Sequence, residues 1–184
     1  MDFANKPVLD GDLVTLRPIR GSEGVVLNHS LADAEVAVLT GSVNSRSAEL
    51  VPLEAAELTR IYQAWAEATD RMVWAVVDRA TGDIVGEAVL NDLDPTNRWC
   101  NYRIWLAVRG RGYGSEATRL ALDYAFDQVG LNRVELEVFD LNPRARHVYE
   151  KVGFRHEGTR RQVLLMDDEW IDSHVMSVIA ADRR

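Results

Sequence analysis

Residues 105–115 read Trp-Leu-Ala-Val-Arg-Gly-Arg-Gly-Tyr-Gly-Ser, the end of an apolar strand followed by a glycine-rich turn. We predict that this turn opens a helix. The first backbone N–H groups of a helix have no partner within it, and the helix dipole is positive at that end. Both properties favour a bound phosphate group. The segment therefore predicts a site for a phosphate-bearing cofactor.

A second helix is predicted over residues 142–153, after the next strand. Asn142 is a good N-cap, Pro143 suits the first turn, and Gly153 ends the pattern. Tyr149 lies seven residues after Asn142, on the same face of the helix. An amide and a hydroxyl could thus line one ligand together with the glycine turn.

The rest of the chain predicts a sheet with intervening helices. Antiparallel strands come first, a strand–helix–strand–helix–strand unit follows, and a hairpin closes the chain. This order predicts an α+β fold, a mixed α/β sandwich with one central, largely antiparallel sheet. No repeat or linker interrupts it, so we expect a single domain over residues 1–184. Strands are predicted over 13–18, 72–78, 84–90, 99–107, 133–139, 154–158, 162–166 and 170–179, and helices over 24–32, 52–69, from the glycine turn to near 130, and 142–153.

Composition excludes several classes of function. The net charge of −8 argues against nucleic acid as a partner and is compatible with a cationic amine substrate. Cys100 is the only cysteine, so no intrachain disulfide forms, and we expect an inert thiol. The four histidines lack the spacing of metal ligands, so we expect no metal. No apolar run is long enough for a membrane span, and no secretory signal is evident, which predicts a cytoplasmic protein.

Several motifs in order resemble one enzyme superfamily. They are Leu16-Arg17-Pro18, Arg109-x-x-Gly112-x-Gly114, Leu136-Glu137-Val138 … Asn142 … Ala145, Tyr149-Glu150-Lys151-Val152-Gly153-Phe154, and Glu169-Trp170-Ile171-Asp172 … Met176-Ser177. Taken together, the chain resembles the GNAT superfamily of acyl-CoA-dependent N-acyltransferases. From Trp105 to about Ile179 it looks like the RimJ/RimL branch, named for N-terminal acetylation of ribosomal proteins. The resemblance implies a splayed central sheet with helices on both faces, and acetyl-CoA as cosubstrate.

The resemblance also implies a cofactor-binding set. The glycine loop would bind the pyrophosphate of coenzyme A through backbone amides, and the strand before it would pair with the pantetheine arm. Arg144 and Arg146 flank this region, where either a phosphate contact or a solvated helix face accounts for them. The implied cofactor-binding residues are Leu106, Ala107, Val108, Arg109, Arg111, Gly112, Tyr113, Gly114, Ser115, Asn142 and Arg146.

Three residues are candidates for catalysis. In the family the residue matching Tyr149 protonates the departing thiolate, whereas the alternative here is an aromatic side chain of the core. A glutamate matching Glu137 serves as general base in some members, although a solvated strand face explains it equally well. Glu87 is the second candidate for the base, because a carboxylate within an apolar strand is seldom placed there for packing. Partial burial would raise its pKa towards a useful range.

Other interpretations of the glycine turn are less favoured. Gly110-x-Gly112 after a strand, with Glu135 further on, suits a dinucleotide fold, but the third small position falls to Ser115 among antiparallel hairpins. A phosphate-loop NTPase would need a Gly-Lys-Ser/Thr sequence, which does not follow.

We therefore expect direct transfer of an acetyl group to a primary amine in a ternary complex. The acceptor is a small molecule or a protein N-terminus, and the sequence leaves a homodimer open. Three alternatives remain, namely an acyl-CoA-binding sensor without turnover, a purely structural partner protein, and an acyltransferase that uses a longer donor such as succinyl-CoA.

Overall fold

A computed structural model describes residues 1–31, 33–51 and 53–183, and the side chains of residues 28–31 are not described. Pro52, expected to open a helix, lies outside these residues. So do the last residue of the helix expected over 24–32 and the side chain of His29.

The described residues form eight strands in one sheet. Neighbouring strands pair antiparallel, with the single exception of the parallel pair β5–β6. The prediction of a mostly antiparallel central sheet is therefore confirmed. The strands are β1 (Leu9–Asp10), β2 (Val14–Pro18), β3 (Met72–Asp78), β4 (Ile84–Asp94), β5 (Trp99–Leu106), β6 (Arg133–Phe139), β7 (Arg155–Met166) and β8 (Glu169–Ile179), in the spatial order β1-β2-β3-β4-β5-β6-β8-β7.

The sheet splays between β5 and β6. These strands pair only where Trp99–Asn101 lies beside Arg133–Glu135. Further along, β5 continues to Leu106 and β6 to Phe139 without pairing to each other. The backbone groups of β5 that face this wedge need another partner. The splay implied by the family resemblance is thus present.

Helices cover both faces of the sheet. On one face, Tyr113 and Ala117 pack with Tyr149 and the sheet residue Trp74 into the main core. On the other face, Leu27, Leu58 and Tyr62 pack against Val73, Ala75 and Val89. The first face carries α4 and α5, and the second carries α1 and α3. The helices are α1 (Gly24–Leu31), α2 (Ala34–Leu39), α3 (Ala55–Glu67), α4 (Tyr113–Asp123) and α5 (Pro143–Lys151), with a π-helical turn at Tyr124–Gln128 after α4.

The short strand β1 was not predicted, and two other strands depart from the prediction by more than one residue at a boundary. β4 continues to Asp94 rather than ending at residue 90, because the left-handed backbone at Asp92 (φ 53°) and a register shift carry the strand past the polar residues. β7 is one strand of 12 residues where two were predicted. Two irregularities in its pairing with β8 absorb the break expected between Gly158 and Gln162.

Candidate active site

A cavity of about 340 Å³ opens where β5 and β6 splay apart. Its walls come from four parts of the chain that are distant in sequence. They are α2 (Val36, Leu39, Thr40), the end of β5 with Val108 (Ile104, Trp105, Leu106, Val108), the glycine turn (residues 109–115) and α5 (Asn142, Arg144, Ala145, Val148, Tyr149).

The glycine turn brings backbone amides to this cavity. Gly110 and Gly112 adopt φ values of 77° and 83°, which side chains disfavour, and Gly112 is the N-cap of α4. A Cβ on Gly112 would also lie 3.2 Å from Cδ1 of Leu13. Gly112 makes no side-chain cap hydrogen bond. The positive end of α4 is therefore presented towards the cavity.

Two arginines of the turn are held by carboxylates. Arg109 forms an ion pair with Glu35 in the first turn of α2, which ties α2 to the turn. Nη1 of Arg111 lies 3.8 Å from Oδ2 of Asp78, and 62% of the Arg111 side chain is exposed. Arg111 is thus the freer of the two cations to meet a phosphate.

On the opposite wall, α5 presents Asn142 and Tyr149 together. Oδ1 of Asn142 accepts a hydrogen bond from the N–H of Ala145 at 3.0 Å, which caps the helix and leaves its NH₂ group for a ligand. Tyr149 is 7% exposed and packs against Phe154. Burial raises the pKa of Tyr149 to about 12, so its hydroxyl stays protonated at neutral pH. The tyrosine thus lines the cavity with a hydroxyl that carries its proton.

Glu87 lies on β4, beside Trp105 of β5, and is 5% exposed. Its Oε2 has no hydrogen-bond partner. Burial raises the pKa of this carboxyl above its ordinary value, which Tyr62 and Arg103 only partly offset. Glu87 does not line the cavity, although its neighbour Trp105 does. It is a buried carboxyl with one unbonded oxygen, on the strand next to the one that carries Trp105 into the cavity wall.

Glu137 is engaged elsewhere. Its Oε1 accepts from the hydroxyl of Ser173, and its Oε2 accepts from Nη1 of Arg160 at 2.6 Å. It does not line the cavity either. Both of its oxygens are therefore already engaged by residues that do not line the cavity.

Two other predicted residues lie off the cavity wall. The N–H of Ala107 donates to the carbonyl of Val85 at 2.9 Å, so it is already paired across the sheet. Arg146 contacts Glu150 and His174 on the other side of α5. The remaining predicted cofactor residues all line the cavity.

Sequence reasoning missed the contribution of α2. This helix has only six residues, and its one local signal is the N-cap Asp33, whose side chain accepts from the N–H groups of Glu35 and Val36. Val148 could have been found, since it adjoins Tyr149 and lies three residues after Ala145 on one helical face.

Two further findings concern ligands and membranes. Among the described residues, no group of three or more His, Cys, Asp or Glu side chains is arranged to hold a metal ion. Within that part of the chain, no helix has the length and apolar character needed to cross a membrane.

Comparison with known proteins places this geometry in context. The family model for the acetyltransferase (GNAT) domain matches residues 14–155. The chain is 25% identical over 175 residues to the uncharacterized N-acetyltransferase YoaA of Bacillus subtilis, covering 94% of this chain and 97% of YoaA. It is 34% identical over 88 residues to the putative ribosomal N-acetyltransferase YdaF of the same organism, which is 47% of this chain and 48% of YdaF.

A solved structure shows the same fold. The crystal structure of spermidine N-acetyltransferase from Vibrio cholerae, in complex with CoA and spermine, superposes with a TM-score of 0.80. The match covers 94% of this chain and 98% of that protein at 21% identity. At that identity the likeness speaks for the fold alone.

Proposed function

The chain belongs to the GNAT acetyltransferase family, and from that premise we propose that it transfers an acetyl group from acetyl-CoA to a primary amine. The observation that carries this proposal is the cavity in the splay. It joins an uncapped helix start on one wall to the protonated hydroxyl of Tyr149 on the other.

The residues present fit coenzyme A. A phosphate group suits the N-terminus of α4, and the turn before it is open at Gly110, where no atom lies within 4 Å of the position a Cβ would take. The unpaired edge of β5 up to Leu106 offers backbone groups to an amide-bearing arm. Asn142 would add its NH₂ group from α5. When bound, acetyl-CoA supplies an activated thioester.

Tyr149 is proposed as the general acid. Its raised pKa of about 12 keeps the proton in place until the leaving thiolate can take it. The backbone N–H near Val108, at the cavity edge, would stabilise the negative charge that develops on the thioester oxygen. Proximity within one cavity supplies much of the remaining acceleration.

Between the two candidate bases, the geometry favours Glu87. Glu87 has an unbonded oxygen and a raised pKa, whereas Glu137 is held by Arg160 and Ser173. Since Glu87 pairs across the sheet with Trp105, which lines the cavity, and does not line it itself, a proton would reach the carboxylate by way of water or after a movement of the indole.

The acceptor is proposed as a primary amine of a small molecule or a protein N-terminus. Spermine is bound by the structural relative from Vibrio cholerae, and YdaF is a putative ribosomal N-acetyltransferase. The similarity to YdaF supports the RimJ/RimL-like branch. A homodimer and a cytoplasmic location remain predictions from the sequence.

A panel of amines tests the proposal directly. Thiol release from acetyl-CoA would be followed with polyamines, amino acids, amine antibiotics and peptides with free N-termini. We expect turnover with at least one class, with the acetylated amine identified by mass spectrometry. Binding of CoA without turnover across the panel would instead indicate a sensor, and absence of CoA binding would overturn the assignment.

A further inference from the structure

We propose that Asp78, at the end of β3, is a positioning residue for cofactor binding, because it fixes the phosphate-facing start of α4 through Tyr113 and governs the position of Arg111. This inference rests on the proposed binding of coenzyme A. It concerns a carboxylate outside the cavity wall.

The contacts of Asp78 form a rigid anchor. Two backbone hydrogen bonds fix Asp78 in the β3–β4 turn. Its N–H donates to the carbonyl of Asp83 at 2.9 Å, and its carbonyl accepts from the N–H of Gly82 at 2.8 Å. Its Oδ1 accepts from the N–H of Ala80 at 2.8 Å. Its Oδ2 accepts from the hydroxyl of Tyr113 at 2.6 Å. A side chain held at both oxygens on a fixed backbone is a suitable anchor for the glycine turn that precedes α4.

Tyr113 is the first residue of α4 and directly follows the N-cap Gly112. Its ring is buried in the main core, so the hydrogen bond to Asp78 fixes its far end. Gly110 and Gly112 on its N-terminal side both adopt left-handed backbone and offer little resistance to reorientation. The hydroxyl therefore sets where the first amides of α4 point.

A second carboxylate near the start of α4, that of Glu116, accepts hydrogen bonds from backbone N–H groups. Glu116 accepts from the N–H groups of Asp12, Leu13 and Val14 at 2.9, 2.7 and 2.7 Å. Val14 in turn pairs with Asp78 across β2 and β3. The first turn of α4 is thus tied at two points to the same pair of strand ends.

The hydroxyl of Tyr113 also affects how close the guanidinium of Arg111 comes to Asp78. Arg111 lies 3.8 Å from the Asp78 oxygen that Tyr113 already occupies, and it stays largely exposed. Without the hydroxyl, the buried carboxylate would lack its strong donor and would draw Arg111 inwards. A guanidinium held by Asp78 is withdrawn from an incoming phosphate.

Tyr113→Phe tests the inference, and Tyr124→Phe is its matched control. Tyr124 follows α4 in the π-helical turn, and its hydroxyl donates to the carbonyl of Asn5 at 2.6 Å, far from the loop. Binding of CoA would be measured by calorimetry, and binding of pantetheine, which lacks the phosphates, by ligand-observed NMR. We expect Tyr113→Phe to weaken CoA about tenfold and to leave pantetheine within a factor of two. Tyr124→Phe should change neither.

A second variant separates the two contributions. Asp78→Asn removes the charge that attracts Arg111. The double variant Tyr113→Phe/Asp78→Asn should therefore recover part of the CoA affinity that Tyr113→Phe loses. Unchanged CoA affinity in Tyr113→Phe, or equal losses for CoA and pantetheine, would overturn the positioning role. Failure of the wild type to bind CoA would instead overturn the proposed function.

Discussion

Burial affects the protonation of two individual side chains in this region. Tyr149 and Glu87 are both nearly inaccessible, and in each case burial favours the protonated form and raises the pKa. For the tyrosine this preserves a proton donor. For the glutamate it creates a carboxyl that holds its proton to higher pH than an exposed one.

Replacing Tyr149 by Phe should lower kcat about 10²–10⁴-fold, while the Kd of CoA stays within a factor of two. The ring and its packing against Phe154 remain, and only the proton donor is lost. Steady-state kinetics with an accepted amine and calorimetry with CoA provide the two measurements. Tyr102→Phe is the control, since it removes a buried hydroxyl that donates to Thr118 at 3.1 Å. A kcat within twofold of wild type would make Tyr149 a packing residue.

Replacing Glu87 by Gln should make the protein relatively more stable as the pH rises. The folded pKa is raised above the unfolded value, so wild-type stability is complete below the unfolded pKa and falls as the pH passes through the folded one. The glutamine has no such loss. The gap to be measured is the free energy of unfolding of the variant minus that of the wild type. Urea denaturation should show that this gap is more positive at about pH 8 than at about pH 4.

The control for that measurement is Glu137→Gln. This substitution makes the same exchange on a neighbouring part of the sheet, at a side chain that is exposed and paired with Arg160 rather than buried, so it reports what the exchange itself does to stability. A gap for Glu87→Gln that stays constant with pH would show that the carboxyl titrates at the same pH in the folded and the unfolded protein.

At the scale of elements, the site depends on the connection between β5 and α4. The left-handed backbone of Gly112 allows the turn to present amides without a side chain in front of them. The β3–β4 turn contains a matched glycine, Gly82, with φ 79° and no atom within 4 Å of its would-be Cβ.

Gly112→Ala and Gly82→Ala should each cost about 1 kcal/mol of stability from the strained backbone, and Gly112→Ala should cost more because its Cβ would lie 3.2 Å from Cδ1 of Leu13. Only Gly112→Ala should also weaken CoA, by tenfold or more, because strain at the N-cap of α4 and the close approach of the new Cβ to Leu13 would displace the first amides of the helix. Calorimetry on both folded variants checks this. Equal CoA affinities would remove the glycine turn from the binding site.

The elements that local chemistry specifies could be predicted from the sequence. The helix from Pro143 carries its own N-cap and ends before its own terminating glycine, and the glycine turn marks the start of α4. The helix α2 could not be predicted, since it is short and is tied to the site by a distant ion pair with Arg109. The pairing of Glu137 with Arg160 was equally hidden, because it depends on the irregular register of β7 against β8.

At the scale of the whole molecule, the charge of the cavity opposes that of the chain. The net charge is −8, yet the charged residues on the described cavity wall are Arg109, Arg111 and Arg144. The net negative charge of the chain, which is compatible with a cationic substrate, is therefore not found on the cavity wall. Neither Glu87 nor Glu137 lies there. The local positive charge suits a phosphate instead.

The Kd of CoA should therefore rise with ionic strength, because salt screens the arginines from the phosphates. Pantetheine, which lacks phosphates, should bind with the same Kd at low and high salt. Titrations between about 0.01 and 1 M salt span the range over which screening changes most. Salt-independent binding of CoA would indicate that the arginines contribute no electrostatic attraction.

A crystal structure of the protein with CoA tests the central claim most directly. We expect the pyrophosphate at the amides of residues 112–115 and the sulfur in the splay between β5 and β6, facing the hydroxyl of Tyr149. Arg111 should turn from Asp78 towards a phosphate, with the hydrogen bond between Tyr113 and Asp78 intact. CoA bound outside the splay, or with its sulfur directed away from Tyr149, would contradict the account.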